Sequence, residues 1–136
     1  MTVVLVDTGP LVALFDPRDR NHAWAVEAFS RLEGPLLTCD AVVTEATYCL
    51  STAGSLALLE MIERGVAQSS FELTAHVRRL RALMARYSSV PMSFADACLV
   101  RMSELHADAV VWTLDSDFHV YRRHGRQAVP TLMPTP

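Results

Sequence analysis

Two short runs, Thr2–Val6 (TVVLV) and Ala109–Leu114 (AVVWTL), are apolar at almost every position and rich in β-branched residues. A strand of that kind has no polar face to turn towards water, so both faces must be covered. A parallel sheet with helices packed on it meets that demand. The intervening sequence supplies the helices. Apolar residues recur at helical spacing over 11–15, 23–32, 41–52, 56–64, 72–86 and 93–106. Asp16-Pro17, Gly34-Pro35, Gly54-Ser55, Gly65 and Pro91 separate them. Leu36–Thr38 and Val66–Phe71 read as further short strands, the second at an edge, and Val120-Tyr121 and Ala128-Val129 as minor ones. The expected fold class is α/β: a three-layer α/β/α sandwich around a short, mostly parallel sheet. No repeat or linker divides the 136 residues, so one domain is expected over 1–136, with the proline-rich 131–136 as a frayed tail.

Composition removes several classes of function. Hydrophobic residues make up 51% and charged residues 20%, which is a globular balance and not a disordered one. No apolar run approaches the ~20 residues of a membrane span. The start, MTVVLVDTG, lacks a basic segment and meets an aspartate too early for a signal peptide. A soluble, cytoplasmic protein is therefore expected, without membrane partners. Cys39, Cys49 and Cys98 are odd in number and form no C-x-x-C pair, so reduced thiols are expected in place of a disulfide or zinc framework. The net charge is −3, and all twelve basic residues are arginine. Arginines gather at 78, 79, 81 and 86 and again at 122, 123 and 126, enough for a local basic patch but not for a basic coat.

The chemistry lies in the acids. In an open parallel sheet, ligand sites form beyond the carboxyl ends of the strands. Asp7 follows the first apolar strand directly; Asp115 follows AVVWTL, with Asp117 just beyond. Each could simply cap the turn after it, but two strands delivering acids to one edge is a stronger pattern. Glu45 has Ala41, Val42, Tyr48 and Cys49 as helical neighbours, which places it on an apolar stripe, where a carboxylate is costly unless paired or able to reach the helix edge. Asp96 stands beside Leu99 and Val100, and Ser93-x-x-Asp96 also fits a capping box. Brought together bare, these acids would raise each other's pKa. A hard divalent cation, Mg²⁺ or Mn²⁺, relieves the conflict, because it favours carboxylate oxygen and water. Such an ion can activate water and neutralise charge on a phosphoryl oxygen. The five histidines are scattered and offer no softer site.

Other readings of the first acid fit less well. Asp7-Thr8-Gly9 matches the aspartic-protease tripeptide, but that fold is dominated by strands. Phosphatases that form a phospho-aspartate carry a second aspartate where Gly9 stands.

Four segments in order, VLVDTGPLVALFD, VVTEATYCL, SFADACLVRMSE and VWTLDSDFHVYR, carry a resemblance over essentially the whole chain. The sequence resembles the PIN domain, and more narrowly the VapC-type toxins of toxin–antitoxin pairs. That resemblance implies an acidic metal site of Asp7, Glu45, Asp96 and Asp115, with Asp117 as an additional acid. Thr8 and Thr113 would be the small hydroxyl residues ordering the pocket. It further implies Mg²⁺- or Mn²⁺-dependent endoribonuclease activity on RNA; in-line attack by a metal-bound water would leave a 5′-phosphate and a 3′-hydroxyl. A homodimer is implied, as is a cognate antitoxin whose tail occupies the groove. The stretch SLALLEMI has more apolar residues than one helix face needs and could meet a second copy or an antitoxin helix. A PIN protein acting outside a toxin pair, in RNA processing or on DNA, and a non-cleaving RNA- or protein-binding module are the alternatives.

Overall fold

A computed structural model of the chain describes residues 2–136. Strand β1 (Val4–Val6) leads into α1 (Thr8–Phe15) and α2 (His22–Ser30), then β2 (Leu36–Thr38). Helices α3 (Asp40–Cys49) and α4 (Thr52–Glu63) precede β3 (Ala67–Ser69). Helices α5 (Leu73–Arg86) and α6 (Phe94–Leu105) precede β4 (Val110–Trp112). A 3-10 turn (Ser116–His119), a two-strand hairpin of β5 (Arg122–Arg123) and β6 (Gln127–Ala128), and β7 (Thr131–Leu132) follow.

Five strands form one parallel sheet in the order β3-β2-β1-β4-β7. Helices α1 to α4 pack among themselves, and α5 pairs with α6, which also lies on β1 and β4. The expected α/β/α sandwich is thus the observed one. Chain progress runs from β1 through β2 to β3, then crosses back to place β4 on the other side of β1. The strand order therefore reverses between β1 and β4, and at such a switch point a crevice opens above the carboxyl ends.

Local signals explain most boundaries. Ser51 caps α4 through a bond from the Gly54 N–H, and Gly65, at φ 77°, ends it where a side chain would be strained. The Ser93–Asp96 capping box is present at α6. Helix α6 is buried at eight positions because it lies flat against the sheet. The core is one continuous cluster in which Leu5, Leu11, Leu58, Trp112, Phe118 and Tyr121 are fully buried.

Three expectations need correction. The tail does not simply fray: Thr131–Leu132 forms the edge strand β7 on β4, fixed by Val111 N–H to the Pro130 carbonyl (2.8 Å) and Thr113 N–H to the Leu132 carbonyl (3.1 Å). Prolines on either side of a two-residue edge strand remove no ladder donor that the sheet uses. Leu73 and Val77, at helical spacing for a core, are 47% and 46% exposed, because Leu80 and Leu83 form the buried stripe of α5. Gly54-Ser55 does not separate two helices: α4 starts at Thr52 and runs through both, and the break falls at Leu50-Ser51. Among the described residues, no helix is long and apolar enough to cross a membrane.

Candidate active site

A cleft of about 420 Å³ opens where the sheet order reverses, lined by Asp7, Thr8, Glu45, Asp96, Asp115 and Asp117 together with Gly9, Pro91, Ser93 and Leu114. Four separate segments deliver the acids. Asp7 ends β1 and its backbone N–H donates to the Trp112 carbonyl (2.9 Å), which locks it beside the end of β4. Asp115 stands three residues beyond β4, at the cap of the 3-10 turn, where its Oδ1 accepts the Asp117 N–H (2.9 Å). Asp96 occupies the first turn of α6, and Glu45 comes from α3.

Hydroxyl groups join these acids. The Thr113 hydroxyl donates to Asp7 Oδ2 (2.7 Å) and accepts the Asp115 N–H (2.9 Å). The Thr8 N–H donates to Asp7 Oδ1 (2.7 Å), and the Thr8 hydroxyl donates to Glu45 Oε1 (2.7 Å). Asp96 Oδ2 accepts both the Ser93 N–H (3.2 Å) and the Tyr121 hydroxyl (2.9 Å). Asp96 Oδ1, Asp115 Oδ2 and Glu45 Oε2 have no hydrogen-bond partner among the described residues.

The electrostatics are unfavourable to bare carboxylates. Asp7 is only 7% exposed. Burial pushes its carboxyl up to about 6, against the pull of the Thr113 hydroxyl and the Thr8 N–H, while the charges of Asp96 and Asp115 push it further up. Burial likewise raises Asp96, opposed by its bonds from Ser93 and Tyr121, with Asp115 adding to the rise. Burial and the bond to Asp96 keep the Tyr121 phenol protonated, so it acts as a donor. Among the described residues, no cationic side chain lines the cleft.

The cleft gathers all five expected acids and Thr8, and Thr113 lies buried beneath them. The reason expected for Glu45 is wrong, however. Helix α3 buries Val42 and Ala46; Glu45, Tyr48 and Cys49 are on its exposed side, with Tyr48 91% exposed. Glu45 reaches the cleft from the solvent-facing side of α3, not from an apolar stripe. Tyr121 escaped the sequence reading altogether. It sits in a stretch resembling a minor strand, and only the packing of the segment after the 3-10 turn brings its hydroxyl to Asp96. The acids ring the cleft without touching: among the described residues, no three His, Cys, Asp or Glu side chains form a ready-made metal cage.

Parallel α/β architecture with carboxylates gathered at the sheet's switch point defines a class of acid-site proteins. The chain belongs to the PIN domain family, which matches it over residues 4–123. It is similar to ribonuclease VapC26 of Mycobacterium tuberculosis (strain ATCC 25618 / H37Rv), with 25% identity over 125 residues, 89% of this chain and 88% of that protein. Its fold is similar to that of Mycobacterium tuberculosis VapC20, described as a sarcin-ricin loop cleaving toxin, with a TM-score of 0.77. That match has 17% identity and covers 86% of this chain and 93% of VapC20.

Proposed function

We propose that this protein is a metal-dependent endoribonuclease and acts as the toxin of a toxin–antitoxin pair. Membership of the PIN family and similarity to a VapC ribonuclease support the reading. The observation that carries it is Asp7, a buried carboxylate beside Asp96 and Asp115 in a cleft that no cationic side chain lines among the described residues. A donor set of carboxylate and hydroxyl oxygens fits a hard divalent ion, Mg²⁺ or Mn²⁺. Asp7, Asp96 and Asp115 would hold it, with Glu45 as a further ligand or acting through water, and Asp117 at the rim. When bound, the ion supplies water activation and neutralises charge developing on the scissile phosphate.

The chain's own residues prepare that site. Thr113 fixes Asp7 and Asp115 relative to each other through one hydroxyl. Ser93 and Tyr121 occupy one oxygen of Asp96 and leave the other without a protein partner among the described residues. Thr8 holds Glu45 against the Asp7 side of the cleft. An ionised carboxylate with an unpartnered oxygen, such as Glu45, would help to remove the proton of the attacking water.

The assembly belongs to the same proposal. Leu56 and Leu59 on α4 are 62% and 46% exposed, the excess apolar surface that a homodimer partner would cover. An antitoxin would silence the enzyme by filling the acid cleft, where a basic side chain would find its charge partners. A cytoplasmic location follows from RNA as the substrate.

The test incubates purified, partner-free protein with total small RNA in Mg²⁺, in Mn²⁺ and in excess EDTA, alongside Asp96→Asn. Discrete fragments that need the metal and vanish in the variant are expected. Intact RNA in every lane, from folded protein, would remove the nuclease reading.

A further inference from the structure

The cleft poses a problem for its own substrate. Five carboxylates lining the cleft of a protein of net charge −3 repel a polyanion. A compensating cationic surface has to lie close by, and the arginines can be sorted by whether their charge is already answered. Among the described residues, Arg18, Arg31, Arg64, Arg79 and Arg101 each meet a carboxylate. Of the remaining seven, all but Arg20 lie on α5 or on the β5–β6 hairpin. Two of those are linked to the acid site through Tyr87 and Tyr121.

Tyr121, whose hydroxyl touches Asp96, packs edge-on against Tyr87 with ring centroids 5.1 Å apart. The Tyr87 hydroxyl accepts the Arg122 N–H (2.9 Å), and the Arg86 guanidinium lies 5.0 Å from the centre of the Tyr87 ring. Arg86 and Arg122 therefore flank the aromatic pair that supports Asp96. Each guanidinium is held by backbone carbonyls in place of a carboxylate. Arg86 Nη1 donates to Gly125 (2.8 Å); Arg122 Nη1 donates to His119 (2.8 Å) and Tyr121 (2.9 Å). His119 is the last residue of the 3-10 turn whose Asp117 lines the cleft. Carbonyl anchoring orders the side chain and leaves its positive charge unneutralised. Nε and Nη2 of both arginines have no partner among the described residues. Those paired donors are the fork that matches two oxygens of a phosphate.

We propose that Arg86 and Arg122 form a phosphate-binding arm that seats the backbone of single-stranded RNA beside the acid cleft. This deepens the nuclease reading and rests on it for the identity of the polyanion. Arg78 and Arg81, which share another face of α5, lie outside the arm.

The arm is tested by fluorescence anisotropy with a short fluorescein-labelled single-stranded RNA of mixed sequence, in EDTA so that nothing is cut, over a salt series. Arg86→Gln/Arg122→Gln is compared with wild type, with Arg86→Lys/Arg122→Lys, and with Arg78→Gln/Arg81→Gln, which removes the same charge elsewhere. Circular dichroism checks that each variant is folded. Losing two phosphate contacts should flatten the slope of log K against log salt by about 1.4. Binding at low salt should fall about tenfold or more, the equivalent of about 1.4 kcal/mol. The lysine pair should keep most of the slope, which a merely structural role for the carbonyl bonds would not allow, and the Arg78/Arg81 pair should change little. Wild-type-like binding by the Arg86/Arg122 glutamine pair would overturn the arm, as would an equal loss from Arg78/Arg81. So would no RNA binding by the wild type, or equal competition by duplex DNA. The two readings fail separately: arginine-dependent binding without cleavage in Mg²⁺ or Mn²⁺ sinks the nuclease alone, while cleavage with arginine-independent binding sinks the arm alone.

Discussion

The hydroxyl of Thr113 donates to the buried carboxylate of Asp7 across 2.7 Å, between residues 106 positions apart in the chain. The same oxygen accepts the N–H of Asp115. One side chain thereby sets the separation of two acids that arrive on different strands. Thr113 is fully buried beneath the cleft that Asp7 lines.

Thr113→Val keeps the shape of the side chain and removes both bonds. It should cost about 1–3 kcal/mol of stability, the desolvation of a buried acceptor left without its donor. Chemical denaturation measures that loss, and calorimetric titration with Mn²⁺ should show weaker binding in the same variant. Unchanged metal affinity would leave Thr113 with a purely structural part.

The raised carboxyl of Asp7 gives the metal-free protein a pH dependence of predictable sign. Its folded pKa of about 6 exceeds its ordinary value of 3.8, so the folded state binds more protons between them. The stabilisation is complete below about 4 and is lost as pH rises through about 6, by at most about 3 kcal/mol. Asp96 shifts in the same direction. Thermal melting in EDTA should therefore show falling stability from pH 5 to pH 7.5, a slope that Asp7→Asn reduces and Mg²⁺ offsets. Stability that rises over this range in the wild type and not in Asp7→Asn would contradict the buried placement of Asp7.

Tyr121→Phe removes only the donor to Asp96. The ring keeps its packing against Phe118 and Tyr87, so the fold should persist. Tyr121 positions Asp96 without itself meeting substrate, and cleavage should slow about tenfold, the equivalent of about 1.4 kcal/mol of barrier. The loss should fall on kcat with RNA binding in EDTA unaltered. An unaltered kcat would dismiss the positioning role.

Glu104, an acid outside the cleft, joins elements of the fold. Glu104 accepts two bonds from Arg79 (2.9 and 2.7 Å), one from Arg101 (3.2 Å) and the His124 N–H (2.7 Å), joining α5, α6 and the hairpin. Burial alone would raise its carboxyl, but the Arg79 bonds, the His124 N–H, the Arg79 charge and Arg101 together depress it to about 2. Because the folded value lies below the ordinary 4.5, the stabilisation is present above that pH and lost as pH falls towards 2. Glu104→Gln should cost about 2 kcal/mol at pH 7 and progressively less in acid. A loss that stays constant with pH would mean that the charge plays no part.

Much of this molecule was readable from short stretches of sequence. The fully apolar TVVLV and AVVWTL demanded a covered parallel sheet, because a strand without a polar face has no other place. Asp7 and Asp115 were marked by standing just beyond those strands, and Asp96 by sharing a helix face with Leu99 and Val100, all features contained within a strand or a helical turn. What lay beyond that range was decided by long-range pairing. Placing β4 beside β1 is a choice among strand orders that no local pattern encodes, yet it creates the cleft. Glu45 was found for the wrong reason: which side of α3 faces water depends on what packs against Val42 and Ala46. Tyr121 and the β7 strand at Thr131–Leu132 gain their roles only from neighbours distant in the chain, a hydroxyl meeting Asp96 and two residues meeting β4. Local spacing determined which residues could form each element and carry each charge. The tertiary structure alone decided which elements meet, because adjacency comes from burial and hydrogen bonding between segments that share no sequence neighbourhood.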